Sequence, residues 1–266
     1  MGKKLQIVFW LLLAIATFLL LGGVVYNFIS AKTQDTIHPV VTFEIENLGT
    51  IKMELYQEYA PNTVANIVKL VEKGFYNNRV LYGRNSLCLY LGMNEDGTDA
   101  IPMASLVNSE IGENSDSDFA YSITGEFLHN GYNENTLCHE KGVVTLIRDD
   151  YGTSLLEEGY NSGVSKIGII MKETAPNLNG TYAAFGKITE GLDLLEKLYA
   201  EGKIKEPEVD EETGETVSSI DVFSDKLLIK SATVNTYGID FGVPEMVEYF
   251  NYDEYIYQML SSQYAS

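Results

Sequence analysis

The sequence predicts a mainly β domain with two helices, and three observations carry that expectation. Val40-Val41-Thr42-Phe43-Glu44-Ile45-Glu46 and Ile51-Lys52-Met53-Glu54-Leu55-Tyr56 both alternate apolar and polar residues, with Asn47-Leu48-Gly49 between them. Two half-buried strands joined by a turn give an antiparallel hairpin. Ala175 to Gly191 reads as a turn at Asn179-Gly180, a short strand at Tyr182-Ala183-Ala184-Phe185 and a helix start at Glu190. Asn and Gly both tolerate positive φ, which suits them to a tight turn. Between these segments, Val64, Ile67, Val68 and Val71 recur at the spacing of one helix face, with Asn62 as expected N-cap and Gly74 as terminator.

The chain has 266 residues, and its first part has a different character. No charged residue occurs from Leu5 to Ala31, and Ile7 to Phe28 would extend about 33 Å as a helix, enough to cross a bilayer core. This predicts a single transmembrane helix. Lys3 and Lys4 precede it, which places the N-terminus in the cytoplasm and the domain outside, at the cell membrane. The apolar stretch is longer than that of a cleavable signal peptide, and Ile29-Ser30-Ala31 is a poor cleavage site. The expected organisation is therefore a cytoplasmic start and anchor over 1–31, a linker over 32–38, a domain over 39–236 and an acidic, Tyr-rich tail over 237–266.

A net charge of -20, from 18 basic and 38 acidic residues, opposes nucleic acid and anionic membrane surfaces as partners. Two cysteines, Cys88 and Cys138, form neither a metal cluster nor a disulfide framework, and whether they pair is open. His139-Glu140 lacks a second histidine one helical turn away, and no glycine-rich phosphate loop or nucleophile elbow occurs. No metal and no cofactor are expected. In the tail, Met246, Tyr249, Tyr252, Ile256 and Met259 fit one face of a helix beginning near Pro244, either docked on the domain or serving a partner.

Several blocks occur in a fixed order: Ala60-Pro61-Asn62-Thr63-Val64-Ala65-Asn66-Ile67 with Gly74-Phe75-Tyr76, Glu95-Asp96-Gly97-Thr98, Gly125-Glu126-Phe127, Leu137 to Val144, Ala175 to Gly191 and Lys226 to Val234. Together they resemble the cyclophilin-type peptidyl-prolyl cis-trans isomerases. The resemblance implies an eight-stranded antiparallel β-barrel capped by two helices, Asn62 to Lys73 and Glu190 to Tyr199. It implies action on proline-containing polypeptide or protein clients. Pro102 to Tyr121, Asp149 to Ser165 and Glu206 to Ser219 are expanded relative to the family and read as surface loops.

The family's catalytic pattern is incomplete. Prolyl isomerisation must overcome a barrier of about 18–20 kcal/mol that arises from amide resonance. An arginine in the family's F-H-R segment donates toward the prolyl nitrogen as the bond twists. Counted without gaps, F-H-R falls on Leu81-Tyr82-Gly83, so glycine replaces the arginine. Arg84, one residue on, is the catalytic candidate, and it requires a bulge to reach the same face. The same count puts the family's phenylalanine and methionine at Cys88 and Leu89 and its glutamine at Leu91. A second glutamine falls on Ile167 and an aromatic wall on Ile169. Leu178 and Tyr182 match pocket residues, and Arg148 stands where backbone groups bind peptide. These positions predict an apolar substrate groove lined by Leu89, Ile169, Leu178 and Tyr182, with Leu91 and Arg148 beside it. The expected function is a membrane-anchored, extracytoplasmic peptidyl-prolyl isomerase for exported polypeptides with weak or lost activity; the alternative is a non-catalytic peptide- or protein-binding module. Oligomeric state is left open.

Overall fold

The computed structural model describes residues 37–209, 216 and 219–264, together with Gly2. The expected hairpin forms β1 (Val40–Ile45) and β2 (Gly49–Leu55), and α1 (Pro61–Glu72) follows. Then come β3 (Val80–Arg84), β4 (Cys88–Met93), the one-turn α2 (Ala104–Val107) and β5 (Tyr121–Ile123). The middle of the chain supplies β6 (Val143–Leu146), the short α3 (Leu156–Tyr160), β7 (Ile167–Ile170), β8 (Ala183–Glu190) and α4 (Leu192–Glu201). Finally β9 (Asp221–Val222) and β10 (Ile229–Asn235) precede β11 (Met246–Glu248) and α5 (Tyr252–Tyr264) in the tail.

The main sheet is antiparallel, with order β10-β1-β2-β8-β6-β7-β4-β3-β9. It has nine strands where eight were expected, and the short β9 beside β3, between α4 and β10, is one of them. The sheet curls until its ends meet. Val80 bridges Leu228, and Ile229 N donates to Arg79 O at 2.8 Å. Phe43, Ile51, Leu55, Leu81, Leu89, Ile169 and Phe185 are fully enclosed and form the interior, under α1. Burying side chains of this kind contributes about 1.5–3 kcal/mol each.

The fold class needs one correction. Among the described residues no helix is long and apolar enough to cross a membrane. The anchor expected over 1–31 lies, apart from Gly2, outside the described residues, so the described fold is the β domain without a membrane-spanning helix.

Other corrections are local. Asn62 is not the N-cap of α1: Pro61 opens the helix, and the first-turn donors are taken by a side chain from far along the chain. Glu126 accepts from Asn62 N at 2.9 Å, Thr63 N at 2.7 Å and Thr63 Oγ1 at 2.7 Å. The apolar face Val64, Ile67, Val68 and Val71 is buried as its spacing requires. At the turn before β8 only Gly180 has positive φ, +75°; Asn179 is extended, and its carboxamide accepts from His139 N at 2.9 Å. Glu190 is the last residue of β8, opposite Lys52, and α4 starts after Gly191 at φ +81°. The tail also departs from the expected helix. Met246–Glu248 pairs with Tyr121–Ile123, so this part of the tail is a strand, and α5 begins only at Tyr252.

Candidate functional site

β4 and β7 lie side by side with Cys88 opposite Ile170, Leu89 opposite Ile169, Tyr90 opposite Gly168 and Leu91 opposite Ile167. Alternation sends these pairs to opposite faces of the sheet. Leu89, Leu91, Ile167 and Ile169 join Leu81 and Phe185 inside the barrel. Cys88 and Ile170 pack on the outside with Val143, Ala175 and Ala184, with Tyr90, Leu137 and Leu178 at their margin. Three of the expected groove residues, Leu89, Leu91 and Ile169, are therefore interior core. The reason is parity. On β3 the pairing passes from Leu81–Leu91 to Gly83–Tyr90, leaving Tyr82 as an extra residue, and a displacement of one residue exchanges the faces.

The outer face consequently presents Tyr90 between two glycines, Gly83 on β3 and Gly168 on β7. The position above Gly168 is filled by Ile147, whose Cδ1 lies 2.6 Å from where a Cβ would stand. Gly83 is closed differently. A Cβ there would meet Asp221 O at 2.4 Å and Ile220 Cγ2 at 2.8 Å, because β9 pairs directly against β3. No side chain, arginine included, fits at Gly83 while β9 is docked.

Arg84, the catalytic candidate, is engaged elsewhere. Its Nε stands 3.7 Å from Asp221 Oδ2 and its guanidinium lies over the Tyr199 ring at 5.6 Å, between β9 and α4. It is not brought together with Leu178 or Tyr182. Arg148 is held on the outer side: its guanidinium lies 4.7 Å from the Tyr182 ring centroid and 4.8 Å from that of Tyr160, with Phe127 at 5.5 Å. Nε donates to Thr181 O at 2.9 Å and Nη1 to Asp149 O at 2.8 Å. Such stacking and fixed donors leave little freedom to the guanidinium plane. Tyr182 also interacts electrostatically with Tyr90, and Leu178 packs at the margin of the cluster that Tyr90 borders.

Sequence reasoning overlooked Tyr90 and Asn85. Asn85 accepts from Leu87 N at 2.8 Å and Cys88 N at 2.9 Å, the pattern of an Asx turn, and donates from Nδ2 to Tyr90 Oη at 2.7 Å. Asn-Ser between two apolar runs was the available signal. The cysteines do not pair: Cys88 is buried, its thiol pushed up to about 11 by burial, and Cys138 is exposed.

Beneath the outer face His139 is enclosed, with Nδ1 2.9 Å from Asn179 Oδ1 and Nε2 3.1 Å from Thr145 Oγ1. Burial lowers its pKa below the ordinary value near 6.5. The unfolded chain then takes up a proton at this site at a higher pH than the folded chain does. His139 should therefore cost stability as pH falls below about 6.5, at up to about 1.4 kcal/mol per pH unit, until the lowered folded value is reached. Denaturant midpoints at about pH 7 and about pH 5 should converge less for the native chain than for His139→Asn, whose pH slope is expected to be shallower.

A curled antiparallel sheet with helices at its ends and an apolar, aromatic-edged face on β4, β6 and β7 defines a class of mainly β proteins. A profile for "Cyclophilin type peptidyl-prolyl cis-trans isomerase/CLD" matches residues 40–222, and the chain belongs to that family. The family acts on proline-containing peptides. Peptidyl-prolyl cis-trans isomerase B of Bacillus subtilis is 28% identical over 168 residues, which cover 63% of this chain and 96% of that protein. A peptidyl-prolyl cis-trans isomerase of Helicobacter pylori is 27% identical over 176 residues, covering 60% and 89%. The chain spans 24% of a peptidyl-prolyl cis-trans isomerase-like 2 protein of Rhizopus delemar, at 26% identity. Among solved structures, a cyclophilin-type isomerase of Cryptosporidium parvum aligns with TM-score 0.48 and 20% identity over 75% of this chain and 99% of its own.

Proposed function

We propose that this cyclophilin-type isomerase binds proline-containing polypeptide segments on the outer face of β4 and β7 and turns them over slowly. The observation that supports slow turnover is the Asp221 carbonyl 2.4 Å from any Cβ at Gly83, which bars the family's arginine from its position. Stabilising the twisted amide is electrostatic work, and loss of one preorganised donor typically lowers the rate by on the order of 10² to 10³. The remaining apolar and aromatic groups, Leu178, Tyr182 and the Arg148 platform, favour binding more than acceleration.

The test is a prolyl-isomer exchange assay on a short proline peptide with the full chain. Turnover is expected on the order of 10²-fold below that of an arginine-bearing cyclophilin. Arg84→Ala should change it less than about twofold, since the guanidinium is engaged with Asp221 and the Tyr199 ring of α4. Turnover equal to an arginine-bearing cyclophilin, or abolished by Arg84→Ala, would refute the proposal. Peptide binding with no turnover would leave a binding module instead.

A further inference from the structure

We propose that the hydroxyl of Tyr90, aimed by Asn85, is the donor that contacts the prolyl amide of the bound peptide; this rests on the isomerase reading above. Tyr90 occupies β4 directly opposite Gly83, the position from which the family's arginine is barred. Its neighbours across both adjacent strands are glycines, Gly83 and Gly168, so neither directly paired residue puts a side chain of its own beside the phenol. The residue is half-buried.

The hydroxyl is also oriented. Asn85 Nδ2 donates to Tyr90 Oη at 2.7 Å, which occupies an acceptor site and leaves the O–H hydrogen to donate elsewhere. The Cys88 thiol interacts with this hydroxyl and itself donates to Asn85 Oδ1 at 3.6 Å, a weak contact that a substrate amide can displace. Asn85 itself is fixed at every polar group. Its carboxamide oxygen accepts from Leu87 N and Cys88 N, its own N–H donates to Cys88 O at 3.0 Å, and its carbonyl accepts from Tyr199 Oη at 3.0 Å. Asn85 is a positioning residue; Tyr90 is the group that would touch substrate. Burial raises the phenol above its ordinary pKa, so it keeps its hydrogen throughout the neutral range.

As the C–N bond twists, the prolyl nitrogen regains its lone pair and becomes an acceptor, and an O–H···N bond formed there exists only near the twisted state. An interaction of that kind raises kcat without tightening ground-state binding. No bond is made to the protein, and the proton stays on the phenol.

The experiment compares the full chain, Tyr90→Phe and Asn85→Asp in the isomer-exchange assay, with peptide affinity measured separately by titration. Tyr90→Phe removes one oxygen and should lower kcat about 10- to 100-fold with the dissociation constant unchanged within about threefold. Asn85→Asp keeps the acceptor for Leu87 and Cys88 but turns a donor to Tyr90 into an acceptor that captures its hydrogen, and should lower kcat to a similar degree. Matching thermal midpoints confirm that both variants fold. Turnover retained by Tyr90→Phe, or a loss matched by weaker peptide binding, overturns the assignment while leaving the isomerase reading intact. A native chain that binds peptide without turnover overturns both.

Discussion

Gly83→Ala lowers the stability of the domain by about 2 kcal/mol, within the usual range for inserting a methyl into packed structure, and Gly83→Arg lowers it further. The added Cβ lies 2.4 Å from the Asp221 carbonyl and 2.8 Å from Ile220 Cγ2. The first obstacle is backbone, so rotamer adjustment cannot relieve it. Relief requires β9 to move, which breaks its pairing with Gly83 and Arg84 and the Phe223 N to Tyr82 O bond of 3.1 Å. Restoring the family's residue type at this position should therefore reduce stability without raising turnover. Denaturant unfolding of both variants, beside the isomer-exchange rate of Gly83→Arg, checks the expectation. A Gly83→Arg chain of native stability and higher turnover would show that β9 yields easily.

Glu126→Ala should cost about 3 kcal/mol or more, the largest loss expected from a single side chain here. The carboxylate is 5% exposed and accepts three hydrogen bonds at the start of α1. The first backbone N–H groups of a helix have no partner within it, and negative charge there is further favoured by the helix dipole. Removing the carboxylate strands Asn62 N, Thr63 N and Thr63 Oγ1 in a place largely closed to water. Glu126→Gln retains one acceptor oxygen and should lose about half as much. Denaturant midpoints of the two variants settle the order; a Glu126→Gln chain as stable as the native one would mean that volume rather than hydrogen bonding matters, and equal losses would mean that the negative charge does.

The elements legible in sequence were those written in local periodicity. The β1–β2 hairpin alternates because one face lies against the interior, and α1 shows its apolar stripe because one side packs on the sheet. β4 and β7 gave no such guide. Cys88-Leu89-Tyr90-Leu91 and Ile167-Gly168-Ile169-Ile170 are nearly continuous apolar runs, buried on both faces, and such runs carry no mark of which side is inward. The extra residue on β3 then shifted the count by one, and Leu89, Leu91 and Ile169 exchanged places with Cys88, Tyr90 and Gly168. The cap on α1 comes from 64 residues away, and the pairing of β11 with β5 from farther still, so neither leaves a local signature. Met246, with its neighbours at helical spacing, satisfied the helix pattern equally well; the available partner strand decided.

β5 is only three residues long, yet Tyr121, Ser122 and Ile123 are all buried, and its outer edge is occupied by β11. Asn62 secures that arrangement from α1, donating to Glu245 O at 3.0 Å and accepting from Glu245 N at 2.7 Å. An uncovered strand edge invites a strand from another molecule. By laying its own tail along β5, the chain fills with its own backbone an edge at which another strand could otherwise pair, so that the acidic segment beyond the family's boundary completes the sheet from within.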